Sequence, residues 1–222
     1  MNRMIIVGSP RVDGRSANLA DQLFEACIAD CPDDAVTLAS VATLDIQPCR
    51  ACGVCGKLGV DLPTAEEGEI AENDAPRLIN YSCPLSDDMK DIAEALDAAD
   101  ELLVVCPLYF AGPPAQMKCL IDRLQPYFHS DLRHGALRPA ALHVVGDGHS
   151  PYGWEPLADI LSSALVCAGF ELQTVLDWTG RMAEDGEILA DADEYTFTLD
   201  GDSQIVSDDC WDSYDEDAED GR

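Results

Sequence analysis

Positive charge is what this 222-residue chain has least of. Thirteen Lys and Arg stand against 43 Asp and Glu, a formal charge of −30, and only Lys57, Lys90 and Lys118 are lysines. Such a balance excludes nucleic acid and anionic membranes as partners and suits solubility or a salt-adapted host. Long apolar runs are also missing. None approaches the ~20 residues of a membrane span, and the N-terminus meets its first turn residues without the h-region of an export signal. A cytoplasmic protein is expected. The turn after the first apolar run, residues 8–14 (GSPRVDG), lacks the G-x-G-x-x-G of dinucleotide-binding folds. Ten Cys in a chain without an export signal point to a reducing compartment, where clustered thiols are more often metal ligands than disulfides.

What is present begins with residues 4–7, a short apolar run that reads as a buried strand bounded by Gly8 and Pro10. A helical pattern follows, with Ala20, Leu23, Phe24, Cys27 and Ile28 at i, i+3, i+4 spacing. Ser16 is placed to cap that helix. Ser9, Arg11, Arg15 and Ser16 surround its N-terminus with hydroxyls and positive charge. A strand, a polar loop and a helix N-terminus together make an anion site, most often for phosphate.

Strand and helix patterns then alternate. Residues 35–41, 102–106, 140–145 and 170–178 read as further strands, and helical faces recur over 89–99, 114–124 and 157–168. Residues 102–106 are almost wholly apolar, as a parallel strand covered on both faces should be. The last strand alternates Phe170, Leu172, Thr174, Leu176 and Trp178 with polar residues, the pattern of an edge. Five strands in alternation with four helices make a doubly wound parallel sheet. The loop chemistry selects the flavodoxin-like order 2-1-3-4-5, in which a mononucleotide lies at the switch point between strands one and three. That geometry singles out loops 9–16, 107–113 and 146–153.

Three motifs in order carry a family resemblance: Gly8-Ser9-Pro10-Arg11-x-x-Gly14-x-Ser16, then Ala99-Asp100-x-Leu102 with Pro107-x-Tyr109-Phe110, then Ala115-x-x-Lys118-x-x-x-Asp122-Arg123. From about residue 4 to 178 the chain resembles the NADPH-dependent FMN reductase and iron–sulfur flavoprotein family. The resemblance implies an FMN-dependent oxidoreductase. It gives the FMN phosphate to Ser9, Arg11, Ser16 and the backbone of Ala17. Arg15 stands where the family often has Asn and adds charge. Pro107, Leu108, Tyr109 and Phe110 would wall the isoalloxazine ring, and Gly146, Asp147 and Gly148 would approach its far side. An electron donor such as NAD(P)H or a ferredoxin-type protein and a homo-oligomeric assembly are implied as well. Lys118, Asp122 and Arg123 are read as structural, the first two as a one-turn surface pair.

Residues 47–84 interrupt the alternation. Within them Cys49, Cys52 and Cys55 have C-x-x-C-x-x-C spacing, which lets three thiols converge on one metal centre. The family's fourth thiol comes a few residues later; here the next is Cys83. The segment from Cys83 to Met89 nevertheless resembles the family's run from its last cluster Cys into the next helix. Residues 56–82 therefore read as an insertion, whose closure entropy grows only with the logarithm of its length. A [4Fe–4S] cluster on Cys49, Cys52, Cys55 and Cys83, a structural zinc on the same four, and a lapsed site covering the flavin all remain open. The other six Cys read as small buried hydrophobes or surface thiols.

Residues 1–178 are thus expected to form the FMN domain and 179–222 an acidic extension. From residue 184 onward, sixteen acidic residues face one basic residue. A short extra strand is expected over 195–199 and disorder over 208–222.

Overall fold

Every side chain from Met4 to Val7 is apolar, so the first strand can be covered on both faces. In a computed structural model, which describes residues 1–57, 81–148 and 150–198, all four are buried. Strand β1 (Asn2–Val7) pairs in parallel with β2 (Ala35–Ser40) on one side and with β3 (Glu101–Pro107) on the other. Strands β4 (Arg138–Val145) and β5 (Phe170–Asp177) extend the parallel sheet, and β6 (Asp193–Thr196) adds to it antiparallel. The order β2-β1-β3-β4-β5-β6 is the flavodoxin-like arrangement with one strand added at the far edge. Most of the expected insertion, and the tail from 199 onward with its Cys210, lie outside the described residues.

Helices divide between the two faces of the sheet. Helices α3 (Met89–Ala98), α4 (Ala115–Asp122) and α6 (Glu155–Cys167) bury Leu96, Leu120 and Leu161 in a cluster with Met4, Ile6, Leu102 and Leu142. Helix α1 (Arg15–Asp30) covers the opposite face with Leu19 and Ala20, against Ile5, Val7 and Val105. Its inner face is shorter than the spacing suggests, and Ile28 is 44% exposed. The cause lies below the last turn, where β1 has become polar at Arg3, whose Nη2 lies 3.9 Å from Cys31 Sγ. Two short helices, α2 (Val54–Lys57) and α5 (Gln125–Phe128), fall outside the alternation. Among the described residues no helix is long and apolar enough to cross a membrane.

Strand β5 departs from the expected alternation. Its register to β4 jumps from Leu172↔Ala140 to Thr174↔Ala141, so Gln173 is bulged out. The side-chain period flips there. Phe170, Leu172 and Val175 enter the cluster under α6, whereas Thr174 and Leu176 turn to the other face. Nor is β5 the edge, because β6, which overlaps the expected short strand, pairs beyond it.

Arg138 opens β4 at the end of the sheet opposite the loops. It donates to the carbonyls of Leu96 (2.7 Å), Ala99 (2.6 Å), Ala168 (2.7 Å) and Gly169 (3.3 Å). Those carbonyls lie where α3 and α6 run out of intrahelical donors, and the charge suits both dipoles. Gly169, at φ 77°, takes the left-handed conformation that ends α6.

His143, in mid-β4, is buried and accepts a hydrogen bond at Nδ1 from Trp178 Nε1 (3.1 Å). Burial lowers its pKa from 6.5 to about 4. The unfolded chain therefore binds a proton that the folded one refuses between these values, and stability falls as pH drops from 6.5 to 4. At ~1.36 kcal/mol per pH unit the window holds up to about 3 kcal/mol. In urea unfolding at pH 7 and pH 4.5, His143→Asn, which keeps an acceptor but binds no proton, should lose markedly less stability on acidification than the parent.

Candidate functional site

The first site forms where the chain leaves the C-terminal ends of β1, β3 and β4. A cavity of about 590 Å³ there is lined by Ser9, Arg11, Gly14, Arg15, Ser16, Pro107, Leu108, Tyr109, Gly146 and Asp147, with Val145, Asp13, Asn18, Glu184 and Asp185 completing it. Nine of the twelve residues expected to hold FMN thus meet in one place. Ala17, Phe110 and Gly148 are not among the lining residues.

Local structure explains the arrangement. The N-cap of α1 is Gly14 and not Ser16, which lies inside the first turn and makes no capping bond. The first amide within α1 to reach an intrahelical acceptor is that of Asn18, bonded to Gly14 O (3.0 Å). The N–H groups of Arg15, Ser16 and Ala17 precede it, and the partial positive charge of the helix end faces the cavity with them. Ser9 and Ser16 are both buried. Ser9 Oγ accepts from the Arg11 N–H (3.2 Å).

Arg15 has a different employment from the one expected. Its Nε donates to the carbonyls of Met182 and Ala183, both at 3.0 Å, and its Nη1 pairs with Asp147. Asn18 Nδ2 donates to Asp185 O (2.6 Å). The segment after β5 is strapped across the start of α1 by these bonds, with Met182 buried beneath it. Glu184 and Asp185 reach the cavity this way. No spacing rule in the sequence pointed to them.

At the opposite wall, Leu108 N–H bonds to Val145 O (3.0 Å) and prolongs the β3–β4 ladder past the strands. Tyr109 and Gly112 then exchange backbone hydrogen bonds of 2.9 and 3.1 Å round a two-residue turn. Its central residues, Phe110 and Ala111, have φ of 54° and 63°, values that L side chains adopt at a cost. The turn directs Phe110 into solvent, fully exposed, which is why it does not wall the cavity.

The second site lies at the far end of α4. The loop lining the first cavity leads into this helix, which by its rise is about 12 Å long. Beyond it a cavity of about 390 Å³ is lined by Cys49, Cys52, Cys55 and Cys83, together with Arg50, Asp122, Arg123, Gln125 and His129. All four thiols expected to act together open onto this one space. Burial pushes the Cys55 thiol up, and the neighbouring Cys49 and Cys52 thiols push it further. Among the described residues no three His, Cys, Asp or Glu side chains are gathered closely enough to hold a single metal ion.

What joins the two Cys-bearing segments is a buried ion pair. Arg123 and Asp87 are 1% and 0% exposed, with Nη1–Oδ2 at 2.6 Å and Nη2–Oδ1 at 3.0 Å. Asp87 Oδ2 also accepts from the Gln47 N–H (3.0 Å), and Arg123 Nη1 donates to Gln47 O (3.0 Å). Asp45 and Asp88 tie the same segments a second time, through Asp45 N–H to Asp88 Oδ2 (2.7 Å) and Asp88 N–H to Asp45 O (3.0 Å). Burial alone would raise the pKa of Asp87, but hydrogen bonds from Arg123, Gln47 and Met89 hold it below the ordinary value. Arg123, read from sequence as structural, pairs in the interior and not at the surface. Lys118 and Asp122 do form the expected exposed pair.

A mononucleotide-sized cavity at the switch point of a flavodoxin-like sheet defines the class. The chain belongs to the NADPH-dependent FMN reductase family, a family of FMN-dependent oxidoreductases whose model matches residues 1–153. It is 29% identical over 121 residues to an iron-sulfur flavoprotein of Methanocaldococcus jannaschii, covering 54% of this chain and 50% of that one. To an iron-sulfur flavoprotein of Archaeoglobus fulgidus it is 25% identical over 150 residues, covering 67% and 56%. The chain spans about half the length of these curated relatives. Among solved structures, the NAD(P)H:quinone oxidoreductase of Methanothermobacter marburgensis superposes with a TM-score of 0.53 at 15% identity, over 81% of this chain and 87% of that one. At that identity the likeness speaks for the fold.

Gly14 has φ 108° and ψ −175°, a region open essentially to glycine alone, and a Cβ built on it meets nothing within 4 Å. Gly14→Ala should therefore lose about 1–3 kcal/mol in urea unfolding through backbone strain, with no clash. A loss below ~0.5 kcal/mol would show that the loop relaxes freely.

Proposed function

We propose that this protein is an FMN-dependent oxidoreductase that passes electrons between the flavin and an iron–sulfur cluster held by Cys49, Cys52, Cys55 and Cys83. The observation that carries this reading is the shared cavity of the four thiols, at the other end of the helix that follows the flavin loop. The four candidate ligands that line the cavity are all thiols, the donor type by which iron–sulfur clusters are held. FMN, when bound, takes up a hydride's two electrons and releases them singly, and a cluster accepts one at a time. In this reading Ser9, Ser16, the first-turn amides of α1 and Arg11 hold the phosphate. Pro107, Leu108 and Tyr109 flank one side of the ring, and Gly146 approaches the other. A Cβ at Gly146 would come within 3.1 Å of Thr179 Cγ2, so a side chain there would require Thr179 to give way. Arg15 acts through the strap and through Asp147, holding the cavity's rim. No side chain serves as acid or base, since the cofactors carry the chemistry.

NAD(P)H or a ferredoxin-type protein supplies the electrons in this proposal, and the chain works as a homo-oligomer.

Two measurements test the reading. Ser16→Ala removes a hydroxyl aimed at a charged phosphate, a contact of ~1.5–3 kcal/mol, so FMN affinity should fall about 10–100-fold. Riboflavin, which has no phosphate, should bind as before; equal losses for both ligands would point to unfolding. Cys83→Ser should bring iron and acid-labile sulfide close to zero and leave FMN content unchanged. A parent protein that binds zinc or no metal after anaerobic purification would leave a plain flavin reductase.

A further inference from the structure

Arg123 Nε is buried, and among the described residues it is the only buried side-chain nitrogen or oxygen without a hydrogen-bond partner. On the same guanidinium, Nη1 donates to Asp87 and Gln47 and Nη2 to Asp87. A charged donor left unpaired inside a protein is costly, which is why buried donors nearly always have an acceptor. Arg123 also lines the cavity onto which Cys49, Cys52, Cys55 and Cys83 open.

We infer that Arg123 tunes the cluster: its Nε–H donates to a cluster sulfur and holds the reduction potential up. The inference rests on the cluster reading above. Hydrogen bonds to the sulfurs and the local charge set the potential of such a centre. Reduction adds negative charge to the sulfurs, so a donor stabilises the reduced state more and raises the potential. The Asp87–Arg123 pair is neutral as a unit, which leaves the directed N–H as Arg123's distinctive contribution. Asp87 performs the complementary task of fixing the fork so that Nε cannot turn away.

Three proteins, each the full chain purified anaerobically with its cluster, test this by redox titration followed in visible and electron paramagnetic resonance spectra. Arg123→Lys keeps a cation opposite Asp87 but has no Nε–H, and its cluster midpoint should move to more negative values while both FMN potentials stay put. Asp87→Asn keeps the N–H and removes a negative charge, so its midpoint should move the opposite way. An unchanged midpoint in Arg123→Lys overturns the inference. So does loss of iron in both variants with no shift in the clusters that remain, because that describes a purely structural role. If Arg123→Lys fails to assemble, the parent grown on ¹⁵N-arginine decides: the reduced cluster should show hyperfine coupling to a guanidinium nitrogen, and its absence overturns the proposal. A parent without iron or sulfide defeats the cluster reading itself, and is recognised before any variant is made.

Discussion

One buried ion pair decides whether the second half of the site exists. The Cys49–Cys55 segment follows β2, whereas Cys83 precedes α3, and little regular structure lies between them in the described chain. Asp87 and Arg123 hold them together from below by fastening Gln47, the start of α3 and the end of α4 in one knot. A pair so deeply buried is a weak source of stability compared with apolar packing, but breaking it by removing one partner is expensive, about 3–5 kcal/mol. Its contribution is register. It tells two otherwise irregular loops where to stand.

The flavin cavity rests on the opposite principle, a site supplied by the ends of regular elements. Parallel strands deliver β1, β3 and β4 loops to one edge, and α1 returns its N-terminus to the same place. Few side chains need to be specified for such a site, because a helix end presents its free backbone amides whatever the sequence. The strap over Arg15 and Asn18 complicates this plan. It brings Glu184 and Asp185 to the lining of the same cavity as Arg11 and Arg15, and it engages Arg15 Nε through the carbonyls of Met182 and Ala183. The tight turn at Phe110 is the other irregular feature, and it too lies at the rim.

The sequence made the sheet legible for a simple reason: short apolar runs such as residues 102–106, closed by turn residues and set between helical patterns, suit parallel strands covered on both faces. Order and site location followed from the absent glycine fingerprint and the hydroxyls at Ser9 and Ser16. What stayed hidden depended on single events that periodicity does not encode. One bulge at Gln173 reverses which face Val175 and Leu176 occupy. The N-cap moved from Ser16 to Gly14, since a backbone conformation open only to glycine was available two residues earlier. Asp87 and Arg123 are 36 residues apart, and nothing local marks either as the other's partner. The strap is recognised through its carbonyls, which every residue has.

Arg138 gives the molecule a direction. At the base of the sheet one guanidinium closes the ends of two helices and lies 3.7 Å from the centre of the Phe170 ring, so that end behaves as a single welded joint. At the other end the loops are held by individual hydrogen bonds that can exchange one at a time. A ligand or partner that rearranges the rim can therefore break those bonds singly and leave the Arg138 joint intact. The scaffold resembles a vise with one fixed jaw, tied together by a single guanidinium at one end and held bond by bond at the other.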